Sequence, residues 1–249
     1  MRLSIIILTW NQRRLTMDCL ASLGALTSND QVKVIVVDNA STDGTAEAIA
    51  ESYPQIIVLR NAENRGVAAA RNQGLRLARG ARVLLLDNDT IASEHAVETM
   101  MAYMDSHPQV GIVACRLVDA DGTVQDSAKP YPGLGVKARN VLGLKQPKVT
   151  FPADDDGALA PTYVIGACQL IRHEVIDQIG LLDEKIFYGP EDADYCLRAV
   201  HAGWQVRYLP QVTIIHMFQR VTTHSVLSPL GRKHARALFH FWRKHRQLW

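Results

Sequence analysis

The chain has 249 residues, of which 47% are hydrophobic and 21% charged, with a net charge of +2 at pH 7. This balance excludes a disordered or fibrous chain and fits a globular protein with one substantial core, and no apolar run reaches the roughly 20 residues that a bilayer-spanning helix needs. Cys19, Cys115, Cys168 and Cys196 lie far apart with no Cys-x-x-Cys pair, which points away from a zinc site or a disulfide framework and towards a reducing, cytoplasmic setting.

The first element is an apolar strand over residues 4–9. Its flanks lack a small-residue cleavage site, so it reads as core and not as a leader. Further apolar runs at 32–38, 56–60, 82–87 and 110–115 alternate with helical patterns at about 13–25, 43–52, 66–79 and 93–106. That alternation predicts βαβ units and a mostly parallel, doubly wound α/β sheet. Asp43, after Ser41 and Thr42, marks one helix start, and Ser93 caps another whose apolar stripe begins at Ala96. In such a sheet, functional groups gather at the carboxyl ends of strands, here Thr9 to Asn11, Asp38 to Ser41, Asn61 to Gly66 and Asp87 to Asp89.

The strand ending Leu86-Asp87-Asn88-Asp89 carries the sharpest chemistry. Two carboxylates at a sheet edge offer the hard oxygen ligands with which Mg2+ or Mn2+ bridges to a diphosphate. Asp38 ends the second strand and either accepts from a ribose hydroxyl or base N–H or simply caps a turn. In Asn64-Arg-Gly through Arg71, a glycine and three alanines open a helix where small side chains allow close packing and close approach of a ligand. Arg71 is read as a partner of Asp38 or Asp87, as a nucleotide contact, or as an exposed charge. Neither a Gly-x-Gly-x-x-Gly after the first strand nor a P-loop is present, which disfavours dinucleotide and P-loop binding.

Residues 127–161, rich in Pro and Gly, read as a long mobile segment outside the core. Regular structure resumes at 162–172, followed by a helix over about 173–179, a helix over about 191–202 and short strands near 205–208 and 212–216. The second helix opens with Glu191, Asp192 and Asp194 after Tyr188-Gly-Pro190. Acids are favoured in a first turn by the helix dipole, yet three exceed what capping needs, and one of them is placed to act as a general base towards a hydroxyl group. His216 ends the last strand, either packed or completing a metal site with Asp89. Ser228-Pro229 opens a final helix. Residues 217–249 hold seven Lys/Arg and no acid, leaving residues 1–216 with 20 basic against 25 acidic side chains. This tail interleaves aromatic and basic residues. It packs Leu238, Phe241 and Trp242 on the body, rests on an anionic membrane surface, or does both. An acidic body without a recognition motif argues against nucleic acid.

Taken in order, Ser4 through Asn11, Val37 through Thr45, Asn64-Arg-Gly through Gly74, Leu86-Asp-Asn-Asp, Gly166-Ala-Cys through Arg172, Gly180-Leu-Leu-Asp-Glu, Glu191-Asp-Ala-Asp-Tyr and His216 resemble a family 2 glycosyltransferase of the GT-A fold, nearest to bacterial rhamnosyl- and galactofuranosyltransferase-like members. The resemblance implies a Rossmann-like catalytic domain over 1–216, with 1–115 binding the nucleotide sugar and 116–216 the acceptor, and a tail over 217–249. It implies an inverting, Mn2+- or Mg2+-dependent transferase working in the cytoplasm or on the inner face of the membrane, with a nucleotide-sugar donor such as dTDP-rhamnose or a UDP-sugar. The acceptor is a glycan or a polyprenyl-diphosphate-linked sugar in surface polysaccharide synthesis, and a homodimer is compatible with the sequence. In this reading Asp192 is the base and Glu191 orients it or holds the acceptor hydroxyl. Thr9, Asn11, Asp38, Asn64, Gly66, Arg71, Asp87 and Asn88 serve the donor, Asp87, Asp89 and His216 the metal, and Gly166, Ala167, Tyr188 and Glu191 the acceptor. Two alternatives compete. One is a haloacid-dehalogenase-like phosphatase with Asp87 as nucleophile, although that family usually begins with its acidic motif and three βα units precede it here. The other is a non-catalytic binding module for sugar nucleotides or glycans.

Overall fold

A computed structural model describes residues 1–133, 135, 136, 139, 149–217 and 229–245. Eight strands form its central sheet: β1 (Leu3–Thr9), β2 (Val32–Asp38), β3 (Ile57–Arg60), β4 (Arg82–Asp87), β5 (Thr90–Ile91), β6 (Val110–Val118), β9 (Cys168–Arg172) and β10 (Gln205–His216). Two more, β7 (Ala128–Lys129) and β8 (Tyr163–Val164), pair separately. The order across the large sheet is β3-β2-β1-β4-β9-β6-β10-β5. β1 runs parallel to β2 and β4, β2 to β3, and β6 to β10. β9 lies antiparallel between β4 and β6.

Alternating side chains divide the core between the two faces of the sheet. Ile5, Ile7, Leu84 and Leu86 face one cluster, covered by α1 (Arg13–Ser22), α2 (Thr45–Ser52) and α4 (Glu94–Ser106). Ile6, Val83 and Leu85 face the other, covered by α3 (Val67–Leu77), α5 (His173–Ile179) and α6 (Glu191–His201). Each such fully buried aliphatic side chain contributes about 1.5–3 kcal/mol relative to exposure. The expected α/β architecture is therefore present, with Ser93 capping α4 by accepting from Ala96 N–H.

Two local expectations need correction. The strands expected at 205–208 and 212–216 are one strand, β10, whose register shifts between Leu209 and Thr213. Pro210 falls in that irregularity, where its missing N–H leaves no ladder bond unmade. Described parts of 127–161 also join the core. Ala158 is fully buried, and Leu159 exchanges both backbone bonds with Tyr208. Proline and glycine prevent a periodic pattern there, but they do not prevent single-bridge packing. The expected mobility of 134, 137, 138 and 140–148 lies outside the described residues, as does the start of the last helix at Ser228.

That helix, α7 (Pro229–His245), packs on the body through Ala237, Leu238 and Phe241, with Trp242 Nε1–H donating to Pro132 O. A charged clasp fixes its end. The enclosed carboxylate of Asp194 on α6 receives Arg198, Lys244 and His245 at 2.7–2.9 Å, and Asp183 receives His240 and Lys244 at 2.9 Å.

Candidate active site

The carboxyl ends of β1, β2 and β4 open into a cleft of about 270 Å³, lined in part by Trp10, Asn39, Asn64, Asp89, Phe187 and His216. Two loops that shape it are locked together. Asn11 N–H donates to Ser41 Oγ, Asn11 Oδ1 accepts from Thr42 N–H, and Asp43 accepts from Arg13 N–H at the start of α1. Asn11 and Gln12 both adopt the left-handed conformation, with φ of 58° and 63°. Such backbone is costly for residues with a side chain and persists where surrounding bonds over-determine it. The turn leaves the Trp10 indole 53% exposed at the cleft.

β5 explains how a histidine from the far end of the chain reaches the acidic motif. It pairs antiparallel with the end of β10, His216 opposite Thr90, and Met217 N–H donates to Asp89 O. One ligand atom from each of Asp87, Asp89 and His216 then lies within 4.8 Å of the others. His216 Nε2 stands 3.4 Å from Asp89 Oδ1. Behind it, Gln125 Nε2–H faces two acceptors, Asp119 Oδ1 at 2.6 Å and His216 O at 2.7 Å, so the amide oxygen must be the atom 2.7 Å from His216 Nδ1. An acceptor there keeps the proton on Nδ1 and leaves the Nε2 lone pair of the neutral ring for a metal. Two carboxylates and an imidazole so oriented fit Mn2+ or Mg2+, the imidazole suiting Mn2+ better.

A second chain of contacts joins this cluster to α6. Arg71, 3% exposed, donates through Nη2 to Asp87 Oδ1 at 2.5 Å and to Gly166 O at 2.8 Å, while Gly166 N–H donates to Asp192 Oδ2 at 3.1 Å. A Cβ at position 166 would stand 2.5 Å from the Arg71 guanidinium. Asp87 N–H donates to Ala167 O. Burial raises the Asp87 carboxyl, Arg71 opposes the rise and Asp89 adds to it. Glu191 is 7% exposed, and its Oε2 has no hydrogen-bond partner among the described residues. Burial first, then the neighbouring Asp192 carboxylate, pushes Glu191 up to about 7.

Of the residues expected at the site, Asn64, Gly66, Asp87, Asn88, Asp89, Tyr188 and His216 line the cleft. Thr9 and Asn11 do not. Thr9 is 1% exposed and bonds Asn11 O and Thr16, so both residues are occupied in holding the loop. Arg71 likewise does not line the cleft and reaches it through its bond to Asp87. Asp38 is 2% exposed with Oδ1 accepting Ser41 N–H, and the residue of that turn on the cleft is Asn39, which bonds Asn61, Asn64 and Arg65. Gly66 has a structural duty as well. Its φ is +80°, and a Cβ there would come within 2.6 Å of the Phe187 ring and carbonyl oxygen. Gly166, Ala167, Glu191 and Asp192 are not among the residues that line this cleft and are joined to it through the Arg71 link. Sequence reasoning missed Trp10, Gln12, Asn39 and Phe187, all adjacent to residues it selected, and Gln125, for which the sequence carries no signal.

The chain is similar in sequence and in fold to known proteins. A model described as glycosyl transferase family 2 matches residues 4–180. N-acetylglucosaminyl-diphospho-decaprenol L-rhamnosyltransferase of Mycobacterium tuberculosis is 28% identical over 250 residues, covering 92% of this chain and 80% of its own length. The dTDP-rhamnosyl transferase RfbF of Shigella flexneri is 24% identical over 186 residues, 74% of this chain and 59% of its own. Among solved structures, the mannosyltransferase PcManGT from Pyrobaculum calidifontis in complex with GDP-Man and Mn2+ superimposes with a TM-score of 0.67 at 22% identity. That match covers 98% of this chain but 64% of the mannosyltransferase.

Proposed function

The chain belongs to glycosyl transferase family 2, and from that premise we propose that it moves a sugar from a nucleoside diphosphate donor to a glycan or polyprenyl-diphosphate-linked acceptor, with inversion at the anomeric carbon, in the synthesis of a bacterial surface polysaccharide. dTDP-rhamnose is the first candidate donor and UDP-sugars the next, a choice supported by the rhamnosyl names of two relatives. No described helix is long and apolar enough to cross a membrane, and we place the work at the cytoplasmic face of the membrane, where a lipid-linked acceptor is presented. Family membership displaces the phosphatase alternative.

The observation that carries the reading is the contact chain from Asp87 through Arg71 and Gly166 to Asp192, which ties the donor cluster to the acidic start of α6. Trp10 stacks on the nucleobase, and Asn39, Asn64 and the remaining oxygen of Asp38 meet the nucleoside. Asp87, Asp89 and His216 hold a divalent cation, which when bound supplies neutralising charge to the departing diphosphate. Asp192 takes the proton of the acceptor hydroxyl as that oxygen attacks the anomeric carbon. The new C–O bond forms opposite the breaking bond to the diphosphate, so one displacement inverts the centre. Glu191, carrying its proton at or below about pH 7, donates to the acceptor or to Asp192 and keeps the pair from holding two adjacent charges.

Calorimetric titration of the purified chain with dTDP-, UDP- and GDP-sugars, with and without Mn2+, followed by transfer to a lipid-diphosphate saccharide, tests this. Metal-dependent binding of one nucleotide class and an inverted product support the proposal. Donor binding without transfer to any acceptor leaves a binding module, and retention of configuration overturns the single displacement.

A further inference from the structure

α7 has two faces of different character. One carries Ala237, Leu238 and Phe241 into the body. On the other, Arg232, Arg236, Phe239 and Arg243 follow at spacings of four, three and four residues, which places all four on a single stripe of an α-helix. All are exposed, and Phe239, at 67%, is the most exposed of the large hydrophobic side chains among the described residues. None of the three arginines has an ion pair among the described residues, whereas Lys244 and His245 on the inner side are held by Asp183 and Asp194. An apolar ring set between uncompensated guanidinium groups is neither a core face nor an ordinary solvated one.

We propose that this stripe docks the protein on an anionic phospholipid bilayer, with Phe239 entering the head-group region and the arginines engaging phosphates. Charge complementarity selects the occupant and also its orientation. Residues 1–216 carry an excess of five acidic side chains, so an anionic plane repels the body and draws α7 towards it. The placement suits the cleft. His234, in the first half of α7, is at hydrogen-bonding distance (3.0 Å) from Tyr188 O, and Lys233 Nζ lies 3.7 Å from the centre of the Phe187 ring, both aromatic residues lining the cleft. The first half of α7 therefore adjoins the cleft lining, and a membrane under the stripe lies one helix away from the site proposed for a lipid-linked acceptor. Only the identity of that acceptor rests on the proposed function, because the stripe and its charge stand without it.

The test is co-sedimentation of the full chain with phosphatidylcholine vesicles made with and without phosphatidylglycerol, alongside calorimetric binding of the nucleotide donor in the same preparations. Wild type is expected to bind only the anionic vesicles, more weakly as salt rises. Replacing all three arginines (Arg232→Glu, Arg236→Glu, Arg243→Glu) lowers vesicle affinity by on the order of a hundredfold or more, at about fivefold for each charge removed. Phe239→Ser lowers it several-fold, and both variants keep wild-type donor affinity, which shows an intact cleft. No binding to anionic vesicles at low salt, or equal binding by the triple variant, overturns the proposal. So does binding to heparin or RNA that matches vesicle binding and is insensitive to Phe239→Ser, because it marks a general polyanion site. Vesicle binding without donor binding leaves docking in place and removes the transferase reading instead.

Discussion

The two ends of the site are built in different ways. The side proposed for the donor comes mostly from successive βα units in which each strand delivers its groups to one edge, joined by Phe187, Tyr188 and His216 from later in the chain, and its loops are braced mainly by neutral amide and hydroxyl contacts such as Asn11 with Thr42 and Asn39 with Asn64. The side proposed for the base is a single helix, α6, whose buried Asp194 is held by the Lys244 ammonium and by His245, the latter 51 residues away. The difference teaches that most of the cleft is set by local chain order, whereas the position of α6, the helix proposed to carry the base, depends on a distant segment folding back. Arg71 and Gly166 are the bridge between the two.

The largest effect that separates the regions is expected from Asp192→Asn. Turnover should drop about 10²–10⁴-fold, while calorimetric donor affinity stays as in wild type, and near-normal turnover removes Asp192 as the base. Next comes the cation on the donor side. Gln125→Leu deprives His216 Nδ1–H of its acceptor and should weaken Mn2+ binding about 10–100-fold by electron paramagnetic resonance titration. Unchanged Mn2+ affinity would show that the ring needs no such support.

Glu191 offers a pH probe of the base side. Its folded value is raised to about 7 from an ordinary 4.5. The folded state therefore binds more protons than the unfolded chain in that window, and stability falls as pH climbs through it. The contribution of the protonated form is complete below about 4.5 and gone once pH has passed about 7. Melting temperatures of Glu191→Gln, compared with wild type across this range, should lack that decline, and parallel profiles would contradict it. The smallest effect is expected from Lys244→Met. With its partners shared by Arg198, His240 and His245, and the lysine side chain 28% exposed, its loss should cost about 1 kcal/mol in denaturant unfolding and leave donor affinity intact. A loss of donor affinity as well would mean that the clasp reaches across Arg71.

The same contrast accounts for what the sequence reveals. Strands β1 to β4 and β6, with the helices between them, follow period-two and period-3.6 patterns within continuous runs, and the acids at their ends are legible as a cluster because a doubly wound sheet gathers strand ends. β9 is not legible as an antiparallel insertion, since a buried run looks alike in either direction. Nor does pattern reveal the turn after β6 that brings Gln125 behind His216, because Gln125 sits in a polar loop and acquires its meaning only from β10. Arg71 is ambiguous for a related reason. Its charge could have faced water, and only the approach of Gly166 from the second half encloses it. The long segment after residue 127 hides packed contacts because single bridges such as Leu159 to Tyr208 leave no periodicity.

Gly66 has an evolutionary consequence. Any side chain there would collide with the Phe187 ring and with its backbone carbonyl, at a φ of +80° that favours glycine, so position 66 is closed to drift whatever residue stands at 187. Position 187 is open, because trimming its side chain enlarges the cleft without altering the backbone. Any widening of the cleft at this point would therefore run through a residue contributed by the second half of the chain, so the two halves would change together under selection.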